Sequence, residues 1–158
     1  MNSLKISFCI LLSLGIQALM TLAQTQADEY LSRGEAAFEK DDYDTAIFDF
    51  TKAIEVNPRD ANAYDGRGTA YRYKSHLDKA LSDYSKAIEL DPDFGPFYYD
   101  RGLAHAINGE HNLAISDYTK TIQLGDPDGA RAYLQRGAAY LFEESYDKAI
   151  ADYQSHRA

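Results

Sequence analysis

Apolar positions in this chain recur at helical spacing in short bursts separated by polar turns. Between residues 61 and 94, Ala63, Arg67, Ala70 and Tyr71 fall at helical spacing; Lys74-Ser75-His76 interrupts them, and Ala80, Leu81, Tyr84, Ala87 and Ile88 form a second stripe. This pattern predicts two amphipathic helices joined by a tight turn. Pro58, Pro92 and Pro127, each beside acidic or Asn residues, end one such pair and admit the next. Helices this short and one-sided do not stand alone, so each pair must bury its apolar face against its neighbours.

The chain laid on itself shows why the pattern recurs. Tyr30, Tyr64, Tyr98 and Tyr133 are each followed three residues later by Arg-Gly (Arg33-Gly34, Arg67-Gly68, Arg101-Gly102 and Arg136-Gly137), at steps of 34, 34 and 35 residues. A second register agrees: AIFDF at 46–50, ALSDY at 80–84, AISDY at 114–118 and AIADY at 149–153. Four copies in phase predict an all-α solenoid of eight helices in antiparallel pairs. A glycine inside a helix costs about 1 kcal/mol relative to Ala. Its return in every copy therefore implies close contact with the paired helix, and Ala46, Ala80, Ala114 and Ala149 mark the other side of that crossing.

These residues resemble the tetratricopeptide repeat. Tyr64, Gly68, Tyr71, Ala80, Tyr84, Ala87 and Pro92 fill its consensus places in the second copy. The first copy supplies Tyr30, Gly34, Ala46, Phe50, Ala53 and Pro58; the fourth supplies Tyr133, Gly137, Tyr140, Ala149 and Tyr153. The third has Tyr98, Gly102, Ala114 and Tyr118 but carries His105 and Thr121 at two consensus places, with Pro127 one residue late. Arg replaces the consensus Leu before each Gly, a flavour that looks bacterial. The resemblance implies a right-handed superhelical solenoid with units at 27–60, 61–94, 95–129 and 130–158. The last is expected to be truncated, without the polar capping helix that solenoids normally carry, so that its final helix exposes apolar surface, frays or meets a partner.

Composition narrows the partners. The chain has 158 residues, 45% of them apolar, enough to fold rather than stay disordered. Its formal charge of -9, with no segregated basic stripe, repels a phosphate backbone and excludes nucleic acid as the expected ligand. The single Cys9 excludes an intramolecular disulfide or a thiolate metal cage.

Residues 1–23 carry one charged side chain, Lys5, ahead of a long apolar run ending in small residues, the layout of a secretory signal peptide. Cleavage is expected after Ala23, with Ala27 as the alternative. An uncleaved membrane anchor is the competing reading, diluted by Ser7, Ser13, Gly15 and Gln17. Too little apolar sequence precedes Cys9 for a lipoprotein signal. Export is thus expected, to the periplasm, with secretion or anchorage by the uncleaved segment as alternatives, and no stable membrane insertion otherwise.

Candidate chemistry is sparse. Arg33, Arg67, Arg101 and Arg136 each precede an Asp by 16 residues (Asp49, Asp83, Asp117 and Asp152), which predicts a ladder of ion pairs between paired helices. His76, His105, His111 and His156 lack metal-ligand spacing and are expected in packing or solvent, with no metal and no cofactor. The acidic pairs Asp41-Asp42 and Glu143-Glu144 belong to turns, where acids cap the next helix. No Ser-His-Asp set, phosphate loop or HExxH is present, so an enzyme is not expected.

The residues left to vary between copies are those of the groove, on the first helix of each pair: Leu31, Glu35 and Phe38; Asp65, Thr69 and Arg72; Tyr99, Leu103 and Ala106; Leu134, Ala138 and Leu141. This face begins mixed and acidic and becomes apolar towards the carboxyl end. Some tetratricopeptide-repeat proteins hold a chaperone's carboxyl-terminal tail with Lys and Asn here. The matching places carry Leu31, Asp65, Tyr99 and Leu134, then Glu35, Thr69, Leu103 and Ala138, so that clamp is absent. The expected function is a scaffold holding a protein or peptide partner in an extracytoplasmic complex, anchored by Tyr99, Leu103, Leu134 and Leu141. The alternative is a homo-oligomer built through the uncapped last repeat.

Overall fold

The computed structural model describes the backbone of residues 2–125 and 129–155 and the side chains of residues 13–125 and 129–155; Pro127, His156 and Ala158 lie outside them. The described residues form eight helices: α1 (Asn2–Phe38), α2 (Tyr43–Val56), α3 (Ala61–Tyr73), α4 (Leu77–Leu90), α5 (Gly95–Ile107), α6 (His111–Gln123), α7 (Gly129–Phe142) and α8 (Tyr146–Ser155). They pack as four antiparallel pairs stacked in chain order, an all-α solenoid of tetratricopeptide-type units.

Local chemistry sets the helix ends. Asp42 accepts a hydrogen bond from the Thr45 N–H at 3.1 Å, and Asp60 accepts from Asn62 and Ala63 at 3.0 and 3.3 Å, so each caps the helix that follows. Within every pair the turn is made by one residue in the left-handed region: Asp41 (φ 59), Ser75 (φ 61), Gly109 (φ 78) and Glu144 (φ 55). The next residue's N–H then reaches back to a carbonyl five positions earlier, as in Asp42 to Ala37 and His76 to Tyr71. Only one of the four turns uses glycine.

The repeated helix glycine meets an aromatic ring. A Cβ at Gly34 would lie 2.7 Å from Phe50, at Gly68 3.0 Å from Tyr84, at Gly102 2.7 Å from Tyr118 and at Gly137 2.8 Å from Tyr153. In each pair the partner is the residue sixteen places on, and Phe50, Tyr84 and Tyr118 are almost wholly buried. The close contact expected from the sequence is therefore ring on backbone, and burial of a large aromatic outweighs the glycine's helix cost. Thr121 at a small-residue place is accommodated because its Oγ1 lies 3.2 Å from the carbonyls of both Asp117 and Gly95.

Consecutive first helices touch (α1 with α3, α3 with α5, α5 with α7), whereas consecutive second helices do not. The stack consequently curves with α1, α3, α5 and α7 on its inner side, which makes their free face a groove. α1 is longer than this role requires. From residue 13 to residue 26 its side chains are exposed on every side, Leu14, Ile16, Leu19, Met20 and Leu22 among them, and burial begins at Ala27. Among the described residues no helix is long and apolar enough to cross a membrane.

Candidate functional site

The groove can be built by first removing the side chains that hold the stack together. The ion-pair ladder is present: Arg33 lies 3.0 Å from Asp49, while Arg67, Arg101 and Arg136 each grip their Asp through Nε and Nη2 at 2.7–2.9 Å. Hydrogen bonding to the carboxylates holds the guanidinium groups of Arg67, Arg101 and Arg136 above their ordinary pKa. The remaining nitrogen, Nη1, faces a hydroxyl of the preceding repeat: Thr51 at 3.2 Å, Ser85 at 3.3 Å and Thr119 at 2.9 Å. Each of these arginines thus fastens its own helix pair and the pair before it. Sequence reasoning missed this second contact, although Thr51, Ser85 and Thr119 recur 34 residues apart.

At the amino-terminal end of the groove, Glu35, Phe38, Glu39, Phe50, Asp65, Gly66, Thr69 and Asp100 line a cavity of about 420 Å³ between α1, α3 and α5. Asp65 is its unusual member. Its Oδ1 is closed off from solvent and receives no hydrogen bond. Burial raises its pKa well above the ordinary carboxylate value, the nearby Asp100 charge adds to the rise, and Arg72 opposes it. Arg72 stands 3.8 Å from Asp100 and donates from Nε to the Tyr84 hydroxyl at 3.2 Å. That hydroxyl also lies 3.0 Å from Thr69 Oγ1, and burial pushes the Tyr84 pKa up. Arg72 and Thr69 are therefore already tied to α4 and α5, and the cavity keeps an acidic lining.

Other groove residues serve packing in part. Leu31 and Phe38 lie against the cluster of Ala37, Ala46, Phe50 and Ala70, and the Phe38 ring also meets Tyr43 and Tyr73 at 5.4 and 5.3 Å. Tyr99 is only 6% exposed; its ring tilts against Tyr118 at 5.8 Å, and Arg131 lies over it at 5.3 Å. Leu103 and Ala106 are partly buried on that same cluster. Leu134 and Leu141 remain 37% and 45% exposed, with Ala138 between them. The apolar end thus offers Leu134 and Leu141, while the Tyr99 ring belongs to the seam between the third and fourth repeats.

The histidines are placed apart. His105 pairs with Glu110 at 2.7 Å, His111 stacks on Phe142 at 4.3 Å, and His76 lies against Tyr71. Among the described residues no three His, Cys, Asp or Glu side chains converge closely enough to hold a metal ion. Asp100, Glu39 and Gly66 join the groove without having been singled out from sequence. No periodic signal marks them, because the cavity is assembled from three different repeats.

Comparisons agree with this architecture. Sequence models described as tetratricopeptide repeat or TPR repeat match residues 27–60, 68–109 and 99–158. No curated protein matches the chain by sequence. Among solved structures, the crystal structure of MamA is 26% identical, with a TM-score of 0.79 over 89% of this chain and 81% of that one. The second repeat domain of Spaghetti (RPAP3), bound to the HSP90 peptide SRMEEVD, is 27% identical, with a TM-score of 0.65 over 68% of this chain and 98% of that one. The TPR2B domain of yeast Sti1 in its pHsp70 complex is also 27% identical, with a TM-score of 0.63 over 80% of this chain and 98% of that one.

Proposed function

The chain is a tetratricopeptide-repeat protein, and from that premise we propose that it is a scaffold holding a partner protein or peptide along the inner face of α1, α3, α5 and α7. The observation that carries this reading is the division of labour between recurring and variable residues. Every copy of the Arg-Asp pair and of the Gly-aromatic pair is engaged in holding helices together. The groove face instead varies from copy to copy and ends in exposed Leu134 and Leu141. Solved relatives with the same fold are bound to chaperone-derived peptides. An acidic tail of that kind suits this groove poorly, since Glu35 and Asp65 stand where cationic residues would be needed.

The proposed setting is extracytoplasmic, with residues 1–23 removed as a signal. The fully exposed helix of residues 13–26, apolar yet packed on nothing in the solenoid, supports that reading. Tethering the protein and identifying by mass spectrometry what it captures from an extracytoplasmic extract tests the function. The expected result is one enriched protein that is lost with the L134D/L141D variant, whose two positions are exposed and outside the packed clusters. Recovery of the chain alone would favour self-association through the last repeat. Mass analysis of the amino terminus in fractionated cells tests cleavage.

A further inference from the structure

We propose that Tyr73, Ile107 and Phe142 form a docking strip for one amphipathic helix of the partner, with apolar residues every seventh position and a basic residue one heptad further on. This rests on the groove reading above and gives the occupant a shape. The three residues stand at the same place of the second, third and fourth repeats. Each lies four positions beyond Thr69, Leu103 or Ala138, so it continues the groove stripe by one turn of its helix. They are 54%, 60% and 72% exposed, so packing one repeat on the next does not account for their apolar character.

Two of the three are rings held from behind. The Tyr73 ring stacks on Tyr43 at 5.2 Å and meets Phe38 edge-on at 5.3 Å, and the Phe142 ring lies parallel to His111 at 4.3 Å. Tyr43 and His111 are the first residues of α2 and α6, the same place in their repeats, and Leu77 stands there in the second. Each ring is thus backed by the preceding repeat on one side while much of it stays in solvent. Backing removes side-chain freedom before any partner arrives, which lowers the entropy lost on binding. Fixed aromatic side chains of this kind serve as interface anchors.

Spacing and charge select the occupant. Consecutive first helices touch, and packed helices lie about 10 Å apart, so the strip offers one apolar residue about every 10 Å. Seven residues of α-helix advance about 10.5 Å and return to the same face after two turns. An extended strand covers that distance in about three residues and then points its side chain the other way. A polyproline helix has a similar repeat, but it docks in aromatic-lined grooves, and the middle place here is Ile107. At the fourth place, in the first repeat, stands the exposed Glu39, with Glu35 beside it in the same groove. Glu143 and Glu144 flank Phe142 at the far end. A helix with a basic residue opposite Glu39 complements this field, and an acidic one is repelled.

The test is fluorescence anisotropy of labelled peptides titrated with the full chain. The first probe is a helical Ala- and Gln-based peptide with Leu at three heptad-spaced places and Lys one heptad further on. The second has the same composition with its Leu residues five apart, and the third is proline-rich with Leu at every third place. The first is expected to bind about tenfold tighter than either control, and Ile107→Asp to weaken it about as much. Phe48→Asp, similarly exposed but on α2 and outside the groove, should leave binding unchanged. Exchanging the probe's Lys for Gln should cost affinity in the parent and none in Glu39→Gln, a difference that altered folding would not produce. Equal binding of the respaced probe, tighter binding of the proline-rich one, or unchanged affinity in Ile107→Asp overturns the strip. Self-association of the chain that Ile107→Asp abolishes would give the strip to a second copy and overturn the partner helix. Failure of the groove reading shows separately, as partner capture insensitive to the L134D/L141D change.

Discussion

Arg67 and Asp83 face each other across α3 and α4 through two parallel hydrogen bonds of 2.8 Å, with both side chains largely out of solvent. Removing one partner strands the other. Asp83→Ala should therefore destabilise the fold by about 3 kcal/mol, the usual cost of orphaning a buried ion-pair member. Chemical denaturation would read this as a lower midpoint at unchanged slope. An unaltered midpoint would remove the ladder from the list of stabilising contacts.

The glycine-to-ring contacts make a steric prediction. At Gly102 an added methyl would sit 2.7 Å from the ring of Tyr118, which is fully buried and cannot swing away. Gly102→Ala should cost about 2 kcal/mol from overpacking, despite the better helix propensity of Ala. Gly129→Ala, with nothing within 4 Å, is the control and should cause no loss. Thermal melts of the two variants compare them directly.

Two of the left-handed turn positions invite stabilisation. Ser75 (φ 61) and Glu144 (φ 55) hold a conformation that side chains resist, and Gly109 shows the alternative at the same place in the third repeat. Ser75→Gly and Glu144→Gly should each stabilise by about 1 kcal/mol. Gly109→Ala should lose a similar amount. Denaturation midpoints of the three single variants check the sign.

Asp65 carries the pH prediction. Its folded-state pKa is raised by burial, so the folded protein binds more protons than the unfolded one between the ordinary carboxylate value of 3.8 and that raised value. Stability contributed at this site is therefore present at low pH and lost as pH climbs through that window. Asp65→Asn should flatten this part of the profile and raise the melting temperature at neutral pH. A steeper profile in the variant would contradict the burial of the carboxylate.

Leu134 and Leu141 are exposed, so Asp at both should shift stability by no more than about 0.5 kcal/mol each while removing partner capture. Calorimetry of the double variant beside its capture profile separates the two effects.

Much of the solenoid was legible because its signals are periodic. Tyr-x-x-Arg-Gly and the later Ala-x-x-Asp-aromatic segment recur in phase, and each serves one contact within a helix pair: Arg with Asp, Gly with the aromatic ring. The groove was less legible. Its residues owe nothing to the repeat, so no period marks them, and chain position says little about how far each is drawn into the seam. Tyr99 reads as a groove anchor by register, yet the approach of Ala132 and Arg131 from the next repeat encloses it.

The sequence by itself determined the repeat, the helix pairs, the ion-pair ladder and the face that would be free. These follow from contacts between residues about one half-repeat apart, which local periodicity encodes. Only the tertiary structure decided that Arg67, Arg101 and Arg136 also reach back to the hydroxyl of the preceding unit. It alone gathered Glu35, Glu39, Asp65 and Asp100 from three repeats around one cavity. Curvature brings those carboxylates together, and curvature arises from the summed packing of neighbouring pairs, a property that no single repeat contains.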